Sequence, residues 1–347
     1  MIVAFIRALV LVLAGCQLWA TVPEAVAEAA RGAGFAREGK YELAIQHYKA
    51  ALKLDSSVPG LYLDLGLAYF KSQRLPEAVA AFEQAVRADT GSFQARTLLG
   101  MSYYGSARYR EAAAQLKVAS AAQPDNVELR YTLAQSYLQS RQYPEAVEEF
   151  RLLLQRDPDS APVHILLGEV LDASHQVEAA TAEFEAAVKA SSVPPDAHFG
   201  LGYLYWKQRR FEEASREFKS ELVGQPDHSQ ALTYLGDTET QGGEDKRAGD
   251  HLRRALKVDP HQRLAHLDLG IVLARDGDAT GAESHFREAI RLDPQRPDAH
   301  YRLGRLLSSQ GRKKESEAEF AKVKELGDRE EEPPLLTVQG HNGPLKP

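Results

Sequence analysis

The sequence predicts an all-α solenoid of stacked antiparallel helix pairs. Three observations carry that prediction. Apolar residues recur at three- and four-residue spacing along most of the chain, and no β-type alternation of useful length interrupts them. The pattern repeats every 34 residues, nine times, without insertion or deletion. One register position is small in all nine copies and a second is small in all nine, as two crossing helices require.

Residues 1–20 precede the repeats. Arg7 is followed by an apolar core from Ala8 to Ala14 and then by small residues, a secretory signal pattern too short to span a bilayer comfortably. Leu13-Ala14-Gly15-Cys16 also resembles the bacterial lipobox, which implies lipidation at Cys16, the single cysteine of the chain. Cleavage after Ala20 is the alternative, and an uncleaved anchor a third. Each reading implies export, to the periplasm or outer membrane, with membrane contact only through a possible lipid at Cys16.

The nine repeats occupy residues 25–58, 59–92, 93–126, 127–160, 161–194, 195–228, 229–262, 263–296 and 297–330. The fourth shows why each is a helical hairpin. Tyr131, Leu133, Ala134, Tyr137 and Leu138 line one helix face; Val147, Phe150, Leu153 and Leu154 line another. Ser140-Arg141-Gln142 lies between them. Pro144 falls in a first helical turn, where its missing N–H is tolerated. Asp157-Pro158 ends the second helix, because the residue before a proline is pushed out of the α region. So small a hairpin needs neighbours to bury both apolar faces.

The shared register names the packing. The eighth position reads Gly32, Gly66, Gly100, Ala134, Gly168, Gly202, Gly236, Gly270 and Gly304. The twentieth is alanine throughout, from Ala44 to Ala282, with Ser316 last. Glycine within a helix costs about 1 kcal/mol relative to alanine, so its recurrence implies a packing requirement. The twenty-fourth position is a large knob: Tyr48, Phe82, Leu116, Phe150, Phe184, Phe218, Leu252, Phe286 and Phe320. Five repeats close on a proline: Pro124, Pro158, Pro226, Pro260 and Pro294.

This register resembles the tetratricopeptide repeat over residues 25–330, about nine-tenths of the chain. The resemblance implies a right-handed superhelix whose first helices line a concave groove, and a non-catalytic role in binding proteins or peptides. Departures exist. The fourth position is never tryptophan. The second helices of repeats seven to nine begin with Asp245, Ala279 and Lys313 where Tyr41, Tyr109, Tyr143 and Phe211 stand in earlier copies, so looser packing is expected in the C-terminal third. The last helix is charged around Phe320 and Val323, as a solubilising cap would be. Pro333-Pro334 then starts a tail, 331–347, expected to be mobile, with Leu335-Leu336 as a segment that could dock back.

Composition excludes several function classes. A net charge of -7 argues against general nucleic-acid binding, which requires a basic face. One cysteine allows neither an internal disulfide nor a thiolate metal cluster. His164, His198, His266 and His300 share the fourth register position and read as packing residues with polar tips, with no carboxylate or third histidine placed beside them by spacing. There is no H-E-x-x-H, no P-loop and no G-x-S-x-G. Gly32-Ala33-Gly34 and Gly200-Leu201-Gly202 fall inside first helices, so they are not dinucleotide loops. Gly242-Gly243 falls in an interhelix turn. Neither a catalytic residue nor a cofactor is expected.

Candidate binding residues follow from the register. If the family geometry holds, positions two, five, nine, twelve and thirteen face the groove. Repeat two then offers Leu63, Leu67, Phe70 and Lys71; repeat three, Met101 and Tyr104; repeat four, Tyr131, Gln135 and Leu138. Repeat six offers Phe199, Tyr203, Trp206 and Lys207, the densest aromatic group. Glu169, Asp172, Asp237 and Thr240 add polar groups. An aromatic strip with isolated charges suits an extended or helical peptide. A glycan or lipid ligand, as in polysaccharide export, is the alternative. The family's carboxylate clamp requires asparagines on neighbouring first helices, and only Asn126 and Asn342 exist, so that clamp is not expected.

Overall fold

A computed structural model describes residues 23–327 and Leu335. Residues 1–22, Cys16 among them, and residues 328–334 and 336–347 lie outside the described residues. The described chain is helix and short turn, in nine consecutive hairpins. They are α1 (23–37) with α2 (Tyr41–Leu54), α3 (Leu61–Lys71) with α4 (Leu75–Ala88), α5 (Phe93–Gly105) with α6 (Tyr109–Ala122), and α7 (Val127–Gln139) with α8 (Tyr143–Leu154). There follow α9 (Ala161–Ala173) with α10 (Val177–Lys189), α11 (Ala197–Lys207) with α12 (Phe211–Gly224), and α13 (Ser229–Gln241) with α14 (Asp245–Val258). Last come α15 (Arg263–Arg275) with α16 (Ala279–Leu292), and α17 (Pro297–Ser309) with α18 (Lys313–Leu326). The chain divides into two compact units, Met1–Leu153 and Leu154–Pro347. Within each, a first helix packs on its own second helix, and that second helix packs on the next hairpin.

The helices begin and end for local reasons. Ser92, Asn126, His228 and Asp278 cap helices by accepting the N–H three residues on, and Pro76, Pro162 and Pro297 sit in first turns. The turn inside each hairpin needs one left-handed residue. The fifteenth register position supplies it every time: Gly39, Gln73, Ala107, Arg141, His175, Arg209, Gly243, Gly277 and Gly311 all have positive φ. Five of these nine are not glycine.

The small eighth position is explained by the knob of the same hairpin. A Cβ on Gly66 would lie 2.6 Å from the Phe82 ring, one on Gly202 2.7 Å from Phe218, and one on Gly270 2.6 Å from Phe286. Phe184 also reaches forward, 2.3 Å from where a Cβ on Gly200 would stand, so this ring locks its own hairpin to the next. Tyr48, Phe82, Leu116, Phe150, Phe184, Phe218, Leu252 and Phe286 are all buried. Each knob contributes roughly 1.5–3 kcal/mol of apolar transfer.

The looser packing expected for the C-terminal third is confined to its last hairpin. Ala248, Leu252, Ala282 and Phe286 are as enclosed as their counterparts, whereas Phe320 is 36% exposed and a Cβ on Gly304 would stand 3.1 Å from its ring. No further hairpin follows Phe320 in the described chain to cover it.

Candidate functional site

In the first unit the predicted strip is open over repeats two and three and closes in repeat four. Leu63, Leu67, Phe70, Met101, Tyr104 and Tyr131 are half-buried and Lys71 is exposed, so α3, α5 and α7 present apolar surface of successive hairpins. Tyr104 donates its hydroxyl to Gln135 Oε1 at 2.9 Å and meets Tyr109 edge-on at 5.4 Å. Burial pushes the Tyr104 hydroxyl up to about 12, so it remains a donor at physiological pH. Gln135 and Leu138 are buried, Gln135 as the acceptor of that bond. A hollow of about 240 Å³ beside the strip is lined by Arg37, Tyr41, Asp64, Leu67 and Lys71, among others.

In the second unit the same register positions are enclosed. Phe199 packs on Phe218 at 6.0 Å, on Tyr234 at 6.0 Å and on His228 at 4.8 Å. Tyr203 stacks on Trp206 at 5.8 Å and meets Tyr234 edge-on at 5.2 Å. The four residues expected in repeat six are thus brought together, but Phe199 and Tyr203 are each 0% exposed, and Trp206 and Lys207 are half-buried. An aromatic cluster that dense satisfies itself: each ring is another's contact surface.

Carboxyl groups are threaded through this enclosed strip. Trp206 Nε1 donates to Asp237 Oδ2 at 2.5 Å. Asp172 accepts the Lys207 ammonium on Oδ1 at 2.7 Å and the backbone N–H of Leu335 on Oδ2 at 2.8 Å. Burial, and secondarily the charge of Asp196, pushes the Glu169 carboxyl up to about 8. Burial raises Asp237, and burial with the charge of Asp237 holds Asp268 well above the usual range. Raised carboxyls mark acid–base catalysts when they face a cleft. Here Glu169, Asp237 and Asp268 are enclosed, and Asp237 is engaged by Trp206.

Sequence reasoning missed a second recurrent feature and misjudged the histidines. The fourth register position faces the twenty-third across the hairpin. His164 Nδ1 lies 2.6 Å from Glu183, His198 Nδ1 2.7 Å from Glu217, and His300 Nδ1 2.6 Å from Glu319. Arg130 pairs with Glu149 at 2.5 Å, Arg96 with Gln115 at 3.0 Å and His47 with Glu28 at 2.6 Å in the same geometry, while His266 meets His285 at 2.9 Å. Spacing along the chain placed no carboxylate beside these histidines; the hairpin sets one beside His164, His198 and His300, and His285 beside His266. Reading positions four and twenty-three side by side would have shown the acid–base complementarity. These bridges pin the two helices of a hairpin, so the histidines are structural.

Asp196, Glu221 and His228 offer ligand atoms within 4.8 Å of one another. Their hydrogen bonds show a capping cluster. His228 Nδ1 accepts the N–H of Ala231, which leaves the proton on Nε2 to donate to Asp196 at 3.1 Å. Glu221 accepts the backbone N–H groups of Asp196 and Phe199 at the start of α11. A metal would have to displace those caps.

Family models match most of the hairpins. Models described as "Tetratricopeptide repeat" match residues 59–91, 103–170 and 165–218, and one described as "TPR repeat" matches 34–73. A model of the "Cilia and flagella-associated protein 70 middle TPR-like domain" matches residues 232–333. The comparison with curated protein sequences found no match. Among solved structures, the C-terminal part of a TPR repeat-containing protein from Cytophaga hutchinsonii is similar at TM-score 0.56 and 15% identity, covering 69% of this chain and 98% of that one. PilF of Pseudomonas aeruginosa is similar at TM-score 0.51 and 20% identity, over 58% of this chain and 91% of that one. PilW, described as a widely conserved type IV pilus biogenesis factor, is similar at TM-score 0.50 and 23% identity, over 60% of this chain and 96% of that one. At these identities the likeness is one of fold.

Proposed function

The chain belongs to the tetratricopeptide-repeat family, and from that premise we propose that it is a non-catalytic scaffold holding protein partners by peptide segments laid along its first helices. One observation carries the reading. In the first unit Leu63, Leu67, Phe70, Met101 and Tyr131 leave apolar surface open across three successive hairpins, with Lys71 exposed beside them. Such a strip matches an amphipathic or extended segment, and a contact of this size falls in the weak, transient range below about 1,200 Å². A glycan would need exposed aromatic faces such as Tyr203 and Trp206 to stack on, and Tyr203 is buried, which favours the peptide.

The proposed setting is the bacterial envelope, after export through the segment 1–20. It rests on the signal-like sequence and on the fold likeness to PilW. No helix among the described residues is long and apolar enough to cross a membrane; the anchor in this reading is lipid on Cys16. Labelling cells with a radioactive fatty acid tests this: Cys16→Ser should abolish incorporation, and equal labelling removes the anchor.

The strip is tested by crosslinking followed by capture from cell envelopes. Phe70→Ala combined with Met101→Ala should remove at least one partner captured by the wild-type chain while helicity is unchanged. An unchanged partner set overturns the assignment.

A further inference from the structure

The enclosed strip of the second unit has an occupant, and we infer that it is the chain's own C-terminal segment, seated through Leu335. This rests on the reading of the first-helix strip as a ligand surface and names the ligand of its second half.

Three observations carry the inference. The first is a contrast at equal register. In repeats two and three, positions nine and twelve (Leu67, Phe70, Met101 and Tyr104) are half-buried. The change begins in repeat four, where Gln135 and Leu138 are buried; in repeats five to seven Glu169, Asp172, Tyr203, Asp237 and Thr240 are buried at the same positions and Trp206 alone is half-buried, although most carry smaller and more polar side chains. Residues 166–172, 199–205 and 231–240 are buried without a gap, all round their helices. A first helix backed by its own hairpin and flanked by two neighbours keeps one side open, as α3 and α5 do. A helix buried on every face has that side covered.

The second observation is the contact itself. Leu335 is 0% exposed and donates its backbone N–H to Asp172 Oδ2 at 2.8 Å. The Asp172 side chain is also 0% exposed, and its other oxygen holds Lys207. A buried carboxylate persists only when its lone pairs are engaged. Lys207 engages one oxygen and Leu335 the other, so Asp172 is built as the receiver of a main-chain donor.

The third is the sequence around the contact. Pro333 and Pro334 carry no N–H, so Leu335 supplies the first main-chain donor after Glu332. Its apolar side chain directly behind that donor is fully buried, beside a carboxylate that receives the N–H. An outside peptide reaching this half of the strip must displace Leu335 first, whereas the strip over repeats two and three stays open.

The test uses the full chain with Trp19→Phe, which leaves Trp206 as the single fluorescent tryptophan. A synthetic peptide of residues 328–347 is titrated into this chain and into one that also carries Leu335→Asp. The Leu335→Asp chain should bind the peptide saturably, with a change in Trp206 emission, and the unaltered chain should need at least tenfold more peptide. Absence of binding to the Leu335→Asp chain with helicity intact, or equal affinity for both chains, overturns the inference. Amide hydrogen exchange gives an independent reading. The segment containing Leu335 should exchange at least tenfold more slowly in the unaltered chain than in the variant, and equal rates overturn the inference. Phe70 and Met101 lie in the other unit, so capture of partners through them can succeed or fail separately.

Discussion

At the scale of single residues, the strongest recurring demand is a left-handed backbone at the fifteenth position of each repeat. Ala107 sits there at φ 56° and Arg141 at 60°, where Gly243 sits at 75°. An L-residue in that region costs roughly 1–2 kcal/mol, partly offset in the unfolded chain, where glycine has more freedom to lose. Ala107→Gly should therefore stabilise the chain by about 0.5–1 kcal/mol and Gly243→Ala should destabilise it by a similar amount. Urea midpoints measure both, and a shared sign would contradict the turn geometry. Glu169 makes a second prediction. Its folded pKa is raised to about 8, so the folded state keeps a proton that the unfolded chain releases near its ordinary 4.5. The stability this contributes is complete below the unfolded value and is lost as pH rises toward about 8. Glu169→Gln should remove that dependence, seen as a smaller fall in urea midpoint between acidic and mildly alkaline buffer than in wild type. The sequence placed Glu169 on the strip; that it would be enclosed depended on what covers α9.

At the scale of the hairpin, small residues at positions eight and twenty and a knob at twenty-four were legible because they recur. Which atoms meet was not. The structure shows that the glycine faces the knob of its own hairpin, and that Phe184 serves two hairpins at once. Gly202→Ala would improve helix propensity by about 1 kcal/mol. It would also place a methyl 2.7 Å from Phe218, and overpacking a tight contact costs typically 1–3 kcal/mol. Net destabilisation of about 1–2 kcal/mol is expected by chemical denaturation. The polar bridges between positions four and twenty-three went unread for a different reason. Each partner alone is an ordinary surface residue, and only the crossing of the two helices makes them neighbours.

At the scale of the whole molecule, a stack of hairpins that touch mainly their sequence neighbours opens locally and from its weakest parts. The α17–α18 hairpin keeps Phe320 partly in solvent and ends in charge, whereas interior knobs such as Phe184 and Phe218 are fully enclosed. Amide exchange should therefore be fastest in α18 and slowest in α9 to α13. Uniform protection from α9 to α18 would mean that stability is shared more widely than these contacts imply.

The sequence by itself determined the hairpin, its 34-residue period, its nine copies and its core, because each of those rests on side chains a few turns apart on the same hairpin or the next. Which half of the strip stays open was decided by tertiary structure alone. The bond that engages Asp172 comes from a residue 163 positions away. No periodicity encodes a contact that occurs once.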